Sequence, residues 1–261
     1  MAPATGTAGA AARLEVSGEV LGGAEDRIDV RIGLANRGEA AARVASVEAE
    51  LFGHRDTRRL ESDILPGQTG TVRFSFPLAE AVAGVHAIVL HLEYRSPGGP
   101  GDAELLLLQP AYVLVALGEA AAPAVTLTAP EARMDSVGRW RIGLESHDGA
   151  AHRVWLRAVL PRHLRVDPAE SLVEVPAAGR VERELLLFRV DAPWESTQGA
   201  LLLASTEGEE LVRTSAAVAV VRVGHEPGWL PRLRRPLVAL MLALFLAAAY
   251  FELRRRWSWA R

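Results

Sequence analysis

Arg31-Ile-Gly-Leu-Ala-Asn-Arg-Gly-Glu-Ala-Ala-Ala-Arg-Val44 returns 110 residues later as Arg141-Ile-Gly-Leu-Glu-Ser-His-Asp-Gly-Ala-Ala-His-Arg-Val154, with eight of fourteen positions identical. The same offset carries Leu65-Pro66 onto Val175-Pro176 and Arg73 onto Arg183. One offset held over more than forty residues marks a duplicated unit. Each copy reads as an apolar strand, a polar turn at Asn36-Arg-Gly38 or His147-Asp-Gly149, and a second apolar strand. The repeat predicts a flexible N-terminus over 1–12 and two domains, 13–118 and 119–224. Gly118-Glu-Ala-Ala-Ala-Pro123 joins them and is short enough to restrict their relative motion.

Outward from the repeat, residues 13–223 alternate in twos rather than at a helical period. Ile28, Val30, Ile32 and Leu34 interleave with Asp29, Arg31 and Gly33, and Val72, Phe74 and Phe76 with Arg73 and Ser75. His86, Ile88, Leu90, Leu92 and Tyr94 form one face of a further strand. Such strands keep one face in a core and one in solvent, as in antiparallel sandwiches. The predicted fold class is all-β: two tandem Ig-like antiparallel β-sandwiches followed by a single transmembrane α-helix.

That helix is read from the C-terminus. The eighteen residues Pro236–Leu253 carry one charge, Glu252, and span about 27 Å as a helix, close to a bilayer's hydrocarbon thickness. Residues 225–235 form a basic juxtamembrane linker and 254–261 a basic tail. Arg234, Arg235, Arg254 and Arg255 suit the phosphate level, and Trp229 and Trp257 the two interfaces. Ala239, Ala243 and Ala247 lie four apart, a spacing at which membrane helices approach closely. The chain start has neither the basic nor the apolar region of a signal peptide. Read literally, that makes the protein tail-anchored with its domains in the cytoplasm; small-residue starts also resemble mature exported chains.

Composition narrows the chemistry. With 29 basic and 32 acidic residues among 261, the net charge of −3 offers nucleic acid no footprint. There is no cysteine, which removes disulfides, thiolate metal sites and thiol nucleophiles. Every basic side chain apart from histidine is arginine, so neither a Schiff-base nor a phosphate-loop lysine exists. No hydrolase elbow, dinucleotide fingerprint or paired-histidine zinc motif occurs. His86 and His91, five apart, point to opposite faces of one strand, whereas His147 and His152 could converge across a hairpin with Asp148 between them. His163 lies further along, surface turn histidines being the default, and His54, near Arg55 and Asp56, reads as an exposed loop residue. Carboxylates such as Glu80, Asp102, Glu104, Asp167 and Glu170 fall in turns of different strands, without the cleft a glycosidase needs. No catalytic residue, metal or cofactor is expected.

Trp140, Trp155 and Trp194 are the candidate contacts for a protein partner or a glycan, since an indole serves either as an interface anchor or as a stacking platform. The first repeat's order, a strand ending in Asn36-Arg-Gly, then Leu65-Pro-Gly-Gln-Thr-Gly-Thr-Val72, then Gly84-Val-His and an apolar strand to Tyr94, resembles bacterial cell-adhesion-related (CARDB-like) Ig-fold domains. The second repeat departs from it at Ser146-His-Asp-Gly and Val175-Pro-Ala-Ala-Gly. The resemblance implies an extracytoplasmic domain. Together these readings predict a non-enzymatic, single-pass inner-membrane protein with periplasmic domains. The predicted partners are the lipid bilayer and an envelope protein, with an accessory role in a membrane complex; carbohydrate (exopolysaccharide or peptidoglycan) is the alternative ligand.

Overall fold

The computed structural model describes residues 11–22, 26–78, 82–97, 104–119, 121–177, 179–207 and 210–224. Seven strands belong to the first repeat: β1 (Leu14–Gly22), β2 (Arg27–Asn36), β3 (Arg43–Leu51), β4 (His54–Arg59), β5 (Thr69–Pro77), β6 (Gly84–Pro97) and β7 (Glu104–Leu117). Nine belong to the second: β8 (Val125–Thr128), β9 (Ala132–Met134), β10 (Val137–Ser146), β11 (His152–Val159), β12 (Leu164–Asp167), β13 (Glu170–Val175), β14 (Arg180–Arg189), β15 (Thr197–Thr206) and β16 (Thr214–Val223). The fold is all-β. No helix among the described residues is long and apolar enough to cross a membrane. Residues 236–253 lie outside the described residues, as do Trp229, Arg234, Arg235, Ala239, Ala243, Ala247, Arg254, Arg255 and Trp257.

The strands form four sheets, ordered β1-β2-β5, β4-β3-β6-β7, β12-β14-β10-β8 and β13-β11-β15-β16-β9. The first two enclose one core, where Ile28, Val30, Ile32 and Leu34 meet Phe74, Phe76, Ile88, Leu90, Leu92 and Tyr94. The other two enclose a second, built on Trp140, Ile142, Leu144, Val154, Leu156, Leu185, Leu187, Leu202 and Val221. The duplication persists in three dimensions. Leu34 and Leu144 are both buried, and Asn36 and Ser146 both end the strand that carries them.

Past the repeat turn the equivalence slips by one residue. Ala42 bridges Ile64 whereas His152 pairs with Val175, so Ile64, not Leu65, takes the place of Val175; Leu65 is exposed. Likewise Arg73 faces Arg31 while Glu184 faces Arg141, so Arg73 corresponds to Glu184 rather than to Arg183. The extra residue of the second copy lies between His152 and Val175, since the step from Ile64 to Arg73 equals that from Val175 to Glu184.

A second difference from the sequence reading lies between the lobes. The described residues up to Val223 form one unit. A third apolar cluster, Val89, Val159, Leu201 and Leu203 with Ala87, Tyr112 and Ala216 against it, packs the outer face of β6 and β7 on that of β11, β15 and β16. Strand β15 is therefore buried on both faces, with Ala200, Leu202 and Ala204 in the second core and Leu201 and Leu203 in the junction. This is why Gly199-Ala-Leu-Leu-Leu-Ala204 is continuously apolar where a half-buried strand alternates. Burying a leucine side chain stabilises by roughly 1.5–3 kcal/mol, so these two alone resist separation of the lobes. Backbone pairing reinforces the junction: the Val85 N–H donates to the Val212 carbonyl (2.7 Å) and the Val212 N–H to that of Ala83 (2.9 Å).

Candidate functional site: the cleft between the lobes

Trp155 sits on β11, whose inward residues Val154 and Leu156 are buried, so alternation turns its ring to the opposite face. Its counterpart Ala45 is buried instead. A bulge between Arg43 and Ser46 shifts the phase of β3, and a one-residue shift exchanges the two faces of a strand. Trp155 is 46% exposed, and its indole N–H donates to Glu207 Oε1 at 3.0 Å, which sets the ring's orientation. Arg153 pairs with the other Glu207 oxygen at 3.2 Å.

The ring borders a cleft of about 260 Å³ lined also by Phe52, His86, Arg157, Ser205 and Thr214. Phe52 and Gly53 are the two turn residues of the β3–β4 hairpin and both have positive φ, 50° and 74°. That is the geometry of a tight primed turn, which glycine adopts freely and a phenylalanine adopts under strain. The Phe52 ring meets His86 edge-on at 4.8 Å, and His86 Nε2 lies 2.7 Å from the Val82 carbonyl oxygen. Burial lowers the pKa of His86 below its ordinary 6.5, against the opposing pull of that carbonyl.

Behind the cleft the lobes share an ion cluster. Glu50, a charged residue buried on the outward face of β3, lies 2.9 Å from Arg55 of its own lobe and 2.8 Å from Arg157 of the other. Arg157 continues to Glu170 at 3.2 Å. A buried carboxylate is tolerated only with such partners. On the far side of this cluster His91 lines a second cleft of about 580 Å³. Burial lowers its pKa, partly offset by Glu48 and Glu50. Nothing in the repeat pointed to Glu50, because the second of its two partners, Arg157, belongs to the other copy.

The other candidate residues are placed elsewhere. Trp140 is buried in the second core with its N–H on the Pro130 carbonyl (2.8 Å), so it offers no surface for a ligand. Its strand position is one of the inward ones, equivalent to Val30. Trp194 is half-buried between β14 and β15, with the Arg189 guanidinium 3.9 Å above its ring. The three tryptophans therefore form no shared platform. His147 and His152 do not converge: His147 bonds Thr126, while His152 Nε2 lies 2.7 Å from Asp148 Oδ1. Asp148 also takes the Ala150 N–H at 3.1 Å and Arg213 at 3.1 Å. The His152 hydrogen bond first, then the Ala150 amide, lower its pKa to about 2. His163 pairs with Asp191 at 2.6 Å and His54 is exposed. Among the described residues no group of three or more His, Asp or Glu is placed to hold a metal. Glu80 and Asp102 lie outside the described residues, and Glu104 pairs with Arg43 at 2.8 Å. The cleft presents an aromatic wall of Phe52, His86 and Trp155, the Ser205 and Thr214 hydroxyls, and the arginine-paired carboxylates of Glu50 and Glu170.

No protein-family model matches the chain, and none of the curated proteins matches it. The resemblance to CARDB-like domains thus rests on the motifs of the first repeat. Among solved structures, WR4, an MSP family member of C. elegans, is similar over 39% of this chain and 99% of its own, at 13% identity and a TM-score of 0.29. Red sea bream transglutaminase is similar over 79% of this chain and 31% of its own, at 13% identity and a TM-score of 0.25. Likenesses this distant leave the function to be argued from the chain's own residues.

Proposed function

We propose that this chain is a non-enzymatic envelope protein whose two Ig-like lobes bind another protein, held at a membrane by residues 236–253. The observation that carries the binding reading is Trp155: a large aromatic left in solvent, its ring fixed by Glu207, at the rim of a cleft between lobes that cannot swing apart freely. Preorganised aromatic anchors of this kind concentrate binding energy at protein interfaces. The Ig-like assignment is supported by connectivity, since in the first lobe the first, second and fifth strands face the fourth, third, sixth and seventh across one core. The motifs of the first repeat favour periplasmic lobes over cytoplasmic ones, and a single anchor with basic flanks suits an accessory subunit of an inner-membrane complex.

A photo-activatable residue in place of Trp155, in the intact chain in its own membrane, should trap one protein of defined mass. Substituting Trp155→Ala should lower co-purification of that protein at least tenfold while the thermal midpoint stays put. Protease access in spheroplasts places the lobes; a cytoplasmic location would remove the periplasmic reading. The same ring, beside Glu207, Ser205 and Thr214, also favours a carbohydrate reading. Quenching of Trp155 fluorescence by peptidoglycan fragments, with no protein trapped, would establish it instead.

A further inference from the structure

We propose that the open edge of β7 pairs with β7 of a second copy of this chain, joining two sheets into one across a two-fold axis. The association is separate from the partner contact argued above and does not use Trp155.

Strand β7 is the outermost member of its sheet, and its one ladder among the described residues is with β6. It touches β1 through a side chain, the Gln109 Nε2 group donating to the Leu14 carbonyl at 2.9 Å. From Leu105 to Leu117 it carries no charge, and Gln109 is its one strongly polar side chain apart from the tyrosine hydroxyl. The other long edges are protected in the usual ways. Strand β4 reads His-Arg-Asp-Thr-Arg-Arg, β13 carries Glu170 and Glu174, β1 carries Glu15 and Glu19, and β5 carries Arg73 at its centre and ends in Pro77. Strands β8, β9 and β12 are four residues or fewer. Among the described edge strands, only β7 combines length with a long uncharged run, Leu105–Leu117, its one charge being Glu104 at the first position.

Its side chains ask for cover. The run Leu105-Leu-Leu-Leu108 has the continuous apolar character of a strand buried on both faces. Yet Leu105 and Leu106, which point to opposite faces, are 40% and 44% exposed, and Leu114 is 41% exposed. The second lobe shows what this edge accepts. There β16, the counterpart of β7, carries β9 along its outer side, with Val221, Arg222 and Val223 facing Ala132, Arg133 and Met134. The fold thus tolerates an added strand at this place, and in the first lobe no described residue supplies one.

A second β7 is a fitting occupant because no like charges oppose each other along Leu105–Leu117, whereas a second copy of β4 or β13 would bring arginines or glutamates together. Each copy has one such edge, so pairing closes with two chains and leaves none open. Pro110 has no N–H to donate, which confines the ladder to one side of it, over Leu105–Gln109 or Tyr112–Leu117.

The absence of cysteine makes the test direct. The full chain in neutral detergent should sediment as a dimer. Of the single-cysteine variants Leu106→Cys and Leu114→Cys, at least one should form a disulfide-linked dimer on mild oxidation, and Arg58→Cys on β4 should not. The double variant Leu106→Lys, Leu114→Lys should weaken dimerisation at least tenfold with an unchanged circular dichroism spectrum, since both leucines are exposed. A monomer at all concentrations overturns the proposal. So does a dimer that neither cysteine cross-links and lysine leaves intact, as association elsewhere would give. Cross-linking at either position to a different protein replaces self-pairing with a foreign strand.

Discussion

In the first lobe, β1 stays beside β2 along its whole length, Leu14 facing Asn36 at one end and Gly22 facing Asp29 at the other. In the second, β8 pairs with β10 over Val125–Thr128 only; the chain then leaves the sheet and re-enters the opposite one as β9, parallel to β16. Pro130 stands where Glu19 faces Arg31 in the first copy, and a proline cannot donate to the ladder there. Trp140, in the place of Val30, fills the vacated core and takes the Pro130 carbonyl on its N–H. Two substitutions thus send the same strand to different sheets. Among the described residues, the second lobe covers its outer edge with β9 and the first leaves that of β7 without a further strand.

The lobes share one junction and are expected to stand or fall together, and Gly84 is the residue at which this is tested most severely. It has φ +133°, and a Cβ there would lie 2.1 Å from the Val212 carbonyl oxygen of the other lobe. Gly84→Ala therefore has to break the backbone bridge between lobes as well as accept backbone strain of about 1–3 kcal/mol. We expect a loss of about 3 kcal/mol or more in denaturant unfolding, on the scale of the larger single-residue effects. If a separate early transition appears for the first lobe alone, the lobes are independent domains rather than one body.

The turn that ends the repeated strand sharpens the contrast. In the first lobe one buried amide does everything: Asn36 Nδ2 donates to the carbonyls of Ala40 (2.7 Å) and Ile64 (2.8 Å), and Oδ1 accepts from Gly38 (3.0 Å). In the second lobe the work is divided, Ser146 donating to the Ala150 carbonyl (2.8 Å) and Asp148 accepting the Ala150 N–H. Asn36→Ala leaves several buried groups unpaired at about 1–3 kcal/mol each and should cost about 3 kcal/mol. Ser146→Ala should cost about 1 kcal/mol. Equal losses would mean that the two turns are equivalent after all.

The same division makes one turn titratable. The folded pKa of Asp148, about 2, lies below the ordinary 3.8. Its contribution is therefore present above pH 3.8 and lost as pH falls toward 2. Asn36 has no such dependence. Hydrogen exchange at Ala150 should show opening grow over that interval relative to exchange at Gly38, whose N–H is held by the Asn36 amide. Parallel behaviour of the two amides would place the acid sensitivity elsewhere.

The duplicated architecture was legible because Ile32, Leu34, Ile142 and Leu144 repeat both their alternation and their turn, and local pattern dictates local pairing. The junction between lobes was not, because Glu50 meets Arg157 and Val89 meets Leu201's cluster across chain separations no local pattern records. Trp155 was legible as a candidate but not as the exposed one. Its face depends on where the strand begins its alternation, and the bulge in β3 shows that the repeat does not conserve this. Trp140 invited the same reading, and the room left in the core where the chain leaves β8 for β9 explains its burial better. The strained turn at Phe52-Gly53 left a signal in the sequence, a bulky residue beside a glycine between an alternating strand and a wholly polar one, that was readable only once the strands had been placed.

That turn also separates the lobes, and it yields the smallest expected change. The first copy runs β3 into β4 through Phe52 and Gly53, while the second continues from β11 through Pro161 to β12 and has no such hairpin. Asparagine tolerates the left-handed conformation far better than phenylalanine, so Phe52→Asn relieves about 1 kcal/mol of strain. It also forfeits the edge-on contact with His86, an interaction of about 0.5–1.5 kcal/mol for aromatic pairs. The two nearly cancel, and the thermal midpoint should move by no more than a few degrees in either direction. Binding at the cleft should weaken in the photo-trapping assay nonetheless, because the aromatic wall opposite Trp155 is gone. Phe52 is also half-buried against the first core, so a loss of several kcal/mol would mean that this packing outweighs both effects. Unchanged trapping would mean that the strain serves the hairpin and not the cleft.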